Sequence, residues 1–118
     1  MTEIEVIELA RAYVALSNAH RVELIKPMFS ATAVYSSSAV GEFVGSDAIG
    51  EMMRGFFTSY PDAFWLAENY RHDNNRVIFD FSLQENAAAT GEHLQRQGIE
   101  RIEFDENGLI KKLEVKAS

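Results

Sequence analysis

In the second half of the chain Val77, Phe79, Phe81 and Leu83 alternate with Ile78, Asp80, Ser82 and Gln84, a period of two that predicts a strand with one greasy and one mostly polar face. The same signal is punctuated by Asp73-Asn74-Asn75, by Ala87-Ala88-Ala89-Thr90-Gly91 and by Asn107-Gly108. It predicts four strands, over 64–72, 76–85, 92–104 and 109–115, joined as an antiparallel meander. The first half reads at the helical period instead. Val6, Leu9, Ala10, Tyr13, Val14 and Leu16 form a broad apolar stripe ending near Ser17, opened by Thr2 with Glu5 three positions on, a capping-box pattern. Asn18 is expected to cap a short second helix carrying Val22, Leu24 and Ile25, which Pro27 ends. Two short extended pieces follow, 32–35 and 43–44, with turns at Ser36-Ser37-Ser38 and Gly41. A third helix opens at a Ser46 cap and repeats Ile49, Met52, Met53, Phe56 and Phe57 until Tyr60-Pro61-Asp62 stops it.

Helices first and strands last make an α+β chain. The three helices must cover the greasy face, and a strongly bent sheet wrapped around them leaves a cavity roofed by the first helix. The string Gly98-Ile99-Glu100-Arg101-Ile102-Glu103-Phe104 places a carboxylate toward that cavity, because Glu100 shares a side with Ile102 and Phe104. A bulge at Gly98 would reverse this parity and turn Arg101 and Glu103 inward.

Composition narrows the chemistry. With 118 residues, 47% hydrophobic and 25% charged, one ordinary globular domain with one core is expected. No cysteine is present, which excludes disulfides and thiolate chemistry and agrees with a reducing compartment. The N-terminus Met1-Thr2-Glu3-Ile4-Glu5 is acidic where a secretory signal is basic and then greasy. A cytoplasmic location is therefore expected. A net charge of -7, with Lys111-Lys112 as the only basic doublet, argues against nucleic-acid and membrane-surface partners. His20, His72 and His93 lack metal-ligand spacing and are expected at the surface, so no metal or other cofactor is predicted. Gly41, Gly45, Gly50 and Gly55 do not make a phosphate loop.

Four strings carry a resemblance that spans nearly the whole chain: Tyr13-Val14-Ala15-Leu16-Ser17-Asn18-Ala19, Met28-Phe29-Ser30-Ala31-Thr32-Ala33-Val34, Gly45-Ser46-Asp47-Ala48-Ile49, and Ile102-Glu103-Phe104 followed by Asn107-Gly108-Leu109-Ile110. In this order the chain resembles the NTF2-like superfamily, in particular its SnoaL-like and ketosteroid-isomerase-like branch. The resemblance implies a cystatin-like cone, a bent antiparallel sheet around three helices from the N-terminal half. It leaves the activity open, because isomerases, dehydratases, cyclases, hydrolases and plain binding modules share this fold.

The isomerase branch carries a hydrogen-bonding tyrosine in the first helix, matched here by Tyr13, and a protonated acid in the penultimate strand, matched by Glu100. Its proton-abstracting aspartate falls at Ser37, and serine alone does not abstract a carbon-bound proton. Steroid isomerisation is therefore not expected. Each candidate also has a structural reading: Tyr13 as a core residue, Glu100 as the partner of Arg96 on the same strand face. Glu85 continues the greasy face of its strand but is expected to be solvated at the strand end. The expected pocket combines Glu100 and Tyr13 with Arg96, Ser37, Met53, Phe57, Phe81 and Ile102. Met52 suits a plastic wall, and part of the set Phe56, Tyr60, Phe64 and Trp65 could stack a flat ligand at the mouth.

Two functions follow. One is a small enzyme, an isomerase, cyclase or lyase acting on an apolar carbonyl compound, with Glu100 as acid and Tyr13 as polarising donor. The other is a non-catalytic domain that binds a small apolar molecule or serves association. The resemblance also implies a homodimer through the outer sheet face, where Ile99, Leu113 and Val115 are expected amid Gln95, Gln97, Arg101 and Glu103. The ionisation of Glu100 discriminates: neutral near pH 7 fits a proton donor, ionised against Arg96 fits a structural pair.

Overall fold

The computed structural model describes residues 1–118. Helix α1 spans Glu3–Asn18, and its Thr2 cap accepts the Glu5 N–H at 3.2 Å, satisfying one of the four orphan donors of a helix start. Its buried positions, Val6, Ala10, Tyr13, Val14 and Ser17, recur at three and four and face the sheet. Helix α2 is one turn, Val22–Ile25, followed by a 3-10 turn at Lys26–Met28 that holds Pro27. Asn18 caps neither. It is the last residue of α1, and its side-chain amide pairs with both backbone groups of Trp65, Nδ2 donating to the carbonyl at 2.9 Å and Oδ1 accepting the N–H at 2.7 Å. Helix α3 spans Ser46–Ser59, with Gly45 rather than Ser46 at its N-cap. Gly45 has φ of 95° and donates its N–H to Ala33 at 2.7 Å, a conformation that favours glycine.

The strands are β1 (Phe29–Ser37), β2 (Gly41–Val44), β3 (Phe64–Asp73), β4 (Arg76–Asn86), β5 (His93–Phe104) and β6 (Ile110–Ala117). They form one sheet in the order β2-β1-β6-β5-β4-β3. The meander β3 to β6 is antiparallel, as the turns predict. The β1–β6 pair is parallel, so the sheet is mixed where the expected cone was antiparallel throughout.

Two devices bend the sheet. In β3 the register shifts between Glu68 and Arg71, around Asn69 at φ 59°. Asp80 on β4 holds this bulge by accepting from Asn69 Nδ2 at 3.0 Å and from Arg71 Nη2 at 3.2 Å. Against β4, β5 carries no bulge at Gly98: their pairing is continuous from Glu103 to His93. Gly98 instead allows close approach, since a Cβ there would lie 2.0 Å from the Lys116 carbonyl oxygen.

The greasy face is the predicted one. Val77, Phe79, Phe81 and Leu83 on β4, and Ile102 and Phe104 on β5, are all buried. The parity of β6 differs from expectation. Lys111 and Lys112 are both exposed, and Leu113 and Val115 turn inward opposite Ile102 and Glu100, not onto the outer face. His72 and His93 are exposed. His20 is half-buried, at φ 57°, stacks on Phe57 at 4.1 Å, and has Nε2 2.7 Å from the Ala63 carbonyl. No helix is long and apolar enough to cross a membrane.

Candidate functional site

Between α1, α3 and the concave face lies a pocket of about 60 Å³, in which fourteen of the nineteen lining residues are hydrophobic. The lining is mostly apolar, so the few polar groups within it decide what the pocket recognises.

Glu100 is the first of these. It is 4% exposed, lies between Phe79 and Val115 on the neighbouring strands, and faces the pocket. Burial alone pushes its carboxyl up to about 8, with no hydrogen bond or nearby cation to offset it. The expected partner, Arg96, also lines the pocket but turns its Nη2 to Glu85 Oε1, 3.1 Å away. Glu100 is thus a neutral acid near pH 7.

Two phenols accompany it. Tyr13 reaches the pocket from α1, packs edge-on against Phe29 with ring centres 5.9 Å apart, and is held near Ser17, whose hydroxyl donates to the Tyr13 carbonyl at 2.8 Å. Burial, then the nearby Tyr35 and Glu100, keeps the Tyr13 hydroxyl protonated well above its usual range. Tyr35 on β1 is raised likewise, by burial first and then by Glu100. Sequence reasoning missed Tyr35, although it lies two residues before Ser37 on the same strand face.

The structure gathers Tyr13, Glu100, Arg96, Ser37, Met53, Phe57 and Phe81 around this one pocket. Ile102 is not among them. It is fully buried outside the pocket lining, between Val77 and Leu113 on the neighbouring strands. Ser37 uses its oxygen to accept the backbone N–H groups of Ala39 and Val40 at 3.1 and 3.4 Å, so it shapes the mouth as a turn residue. Met52, Phe56 and Trp65 join the wall, whereas Phe64 is exposed on the other side of β3. Glu85 overturns its solvated expectation: it is 1% exposed, since β4 continues one residue beyond it and its side chain stays on the core face.

A family model described as a SnoaL-like domain matches residues 10–113. No curated protein sequence matches the chain. The fold is similar to that of the epoxide hydrolase/cyclase-like enzyme SalBIII of pyran ring formation in the polyether salinomycin, with a TM-score of 0.88 and 15% identity over 98% of this chain and 92% of that one. A putative SnoaL-like polyketide cyclase from Shewanella denitrificans aligns with a TM-score of 0.83 and 14% identity, over 99% and 92% of the two chains. A protein of ketosteroid isomerase-like fold from Catenulispora acidiphila, solved with trimethylamine, aligns with a TM-score of 0.83 and 11% identity, over 92% and 83%. At such identities these likenesses establish the NTF2-like architecture and leave the chemistry to the site.

Proposed function

The chain belongs to the SnoaL-like domain family, and from that premise we propose that its pocket binds a small, neutral, largely apolar molecule by an oxygen atom and offers that oxygen the proton of Glu100. The observation that carries this reading is the burial of Glu100 at the pocket wall with neither hydrogen bond nor countercharge. A protonated carboxyl donates a hydrogen bond to a carbonyl or ether oxygen, and Tyr13 and Tyr35 add two phenolic donors beside it. Moving the proton onto that oxygen makes the attached carbon electrophilic or weakens its C–O bond. The carboxylate left behind takes a proton back as the product forms.

The reaction classes served by such an acid are isomerisation, cyclisation and elimination of an oxygenated apolar compound. Epoxide hydrolase/cyclase-like SalBIII and the putative polyketide cyclase are neighbours compatible with it. A non-catalytic binding domain is the second reading, favoured by one observation: Glu100 is the only carboxylate lining the pocket. The association reading is weakened by the inward turn of Leu113 and Val115, which leaves the outer face only Ile99 of the three residues counted for it. A homodimer stays part of the proposal, tested by light scattering at micromolar concentration, where a monomer refutes it.

Trp65 is the chain's one tryptophan and lines the pocket, so its emission reports occupancy. Acetophenone is expected to quench it at pH 6 and to bind at least about tenfold more weakly at pH 10, the value of one lost hydrogen bond. Tyr13 and Tyr35 stay protonated at both pH values, so the change isolates Glu100. Binding independent of pH refutes the reading. Isomerisation of styrene oxide to phenylacetaldehyde by the native protein but not by Glu100→Gln selects the enzyme over the binding domain.

A further inference from the structure

Glu85 has no part in the chemistry above, yet its position is costly. It is 1% exposed, and neither carboxylate oxygen makes a hydrogen bond. Arg96 Nη2 stands 3.1 Å from Oε1, close enough for an ion pair but off the hydrogen-bonding direction. Burial pushes the Glu85 carboxyl up, Arg96 draws it back down, and Asp62 adds a smaller upward push. Burying such a pair stabilises a fold less than apolar side chains of the same volume. A leucine at 85 would simply extend the stripe of Val77, Phe79, Phe81 and Leu83.

What the pair does keep is a cation at the pocket wall. Arg96 is the only basic residue lining the pocket, and a guanidinium has five donors, of which Glu85 faces only part. Along β5 it stands four residues from Glu100 on the same face, about 13 Å of strand at the usual rise. The residue between them on that face is Gly98, where the backbone of Lys116 and Ala117 occupies the space a side chain would take, and Ala117 lines the pocket.

Resting on the pocket reading above, we infer that Arg96, positioned and charge-balanced by Glu85, forms a second polar subsite that receives an acceptor oxygen at the far end of the bound molecule. The pocket thereby selects neutral molecules with oxygen at both ends over carboxylates. The pairing gives the preference: Arg96 already faces the Glu85 carboxyl at 3.1 Å, and the other polar end of the site is a second carboxyl, Glu100. A neutral oxygen leaves the site balanced, whereas a ligand carboxylate brings an unpaired negative charge into a mostly apolar pocket.

Trp65 emission tests this with three matched probes at pH 7: acetophenone, 1,4-diacetylbenzene and 4-acetylbenzoate. The native protein is expected to bind 1,4-diacetylbenzene about tenfold more tightly than acetophenone, the worth of one hydrogen bond to a charged donor, and to bind 4-acetylbenzoate more weakly than 1,4-diacetylbenzene. In Glu85→Gln the uncompensated Arg96 reverses that second order. In the double variant Glu85→Leu/Arg96→Met, where an apolar pair replaces the ionic one, the diacetyl-to-monoacetyl affinity ratio collapses to about one. Equal binding of acetophenone and 1,4-diacetylbenzene by the native protein overturns the subsite while leaving the Glu100 reading intact. A tenfold ratio that survives in the double variant also overturns it. Tighter binding of 4-acetylbenzoate by the native protein overturns the charge-balance argument, and silence of all three probes overturns the pocket reading together with it.

Discussion

Arg96 and Glu100 project from one face of β5 into one pocket and form no ion pair; Arg96 reaches across to Glu85 on β4, 3.1 Å away. That choice of partner separates two carboxylates on the same greasy sheet face. Glu85 gains a cation, which draws its carboxyl down against the larger upward push of burial. Glu100 gains none, and desolvation by Phe79 and Val115 keeps its proton on. Two acids on one sheet face therefore differ in whether a guanidinium opposes the effect of burial.

Removing that guanidinium alone is expected to be costly. Arg96→Met leaves the Glu85 carboxylate buried without a countercharge, and the loss is about 2–4 kcal/mol, below the full value for a buried pair because the Arg96 side chain is 28% exposed. Glu85→Leu added to Arg96→Met recovers most of it. Urea denaturation of the two variants checks this, and equal stabilities would mean that Glu85 already does without Arg96.

The Glu100 shift has a defined sign in stability. The carboxyl titrates near 4.5 in the unfolded chain and at about 8 in the fold, so between those values the folded state holds more protons. Its contribution is complete below about pH 4.5 and is lost as the pH rises to about 8. The native protein is therefore expected to lose roughly 3–5 kcal/mol relative to Glu100→Gln between pH 5 and pH 9. Chemical denaturation at those two values measures it, and a difference that does not change with pH would place the Glu100 titration near its ordinary range. Carbon-13 spectra of the glutamate carboxyls report the same proton directly.

Legibility in the sequence followed the reach of the signal. Glu100 was placed correctly because alternation through Ile102 to Phe104 is unbroken and the β4–β5 register has no slip. Leu113 and Val115 were not, because the β5–β6 register shifts between Glu103 and Phe104 and leaves Lys111 and Lys112 both exposed, so parity could not be counted through the hairpin. The parallel β1–β6 pair and the Arg96–Glu85 pair are contacts between segments whose sequences say nothing about each other. Tyr35 carried only its spacing from Ser37. Helix spacing, by contrast, was enough to bring Tyr13, Met53 and Phe57 to one pocket.

Gly98 is the position where a single methyl should matter most. A Cβ there would stand 2.0 Å from the Lys116 carbonyl oxygen and 2.9 Å from the Ala117 Cα, both backbone atoms that cannot rotate away. Gly98→Ala is expected to force β5 and β6 apart and cost about 2–4 kcal/mol. Thermal unfolding followed by circular dichroism checks it. A variant as stable as the native chain would mean that the bend between these strands relaxes freely.

The same kind of argument applies at the open edge of the sheet, where β3 has no neighbouring strand and Asn18 supplies what a strand would. Its amide accepts from and donates to the Trp65 backbone, at 2.7 and 2.9 Å, so one side chain mimics one rung of a ladder and ties the end of α1 to the pocket wall. Asn18→Ala leaves both Trp65 groups without that partner, and the expected loss is about 1–3 kcal/mol. Asn18→Asp retains the acceptor but not the donor and should fall between the two. Because Trp65 lines the pocket, Asn18→Ala should also shift its emission to the red and weaken acetophenone binding without touching the ligand. Lost stability with unchanged emission and binding would show that α1 is held to β3 independently of the pocket's shape.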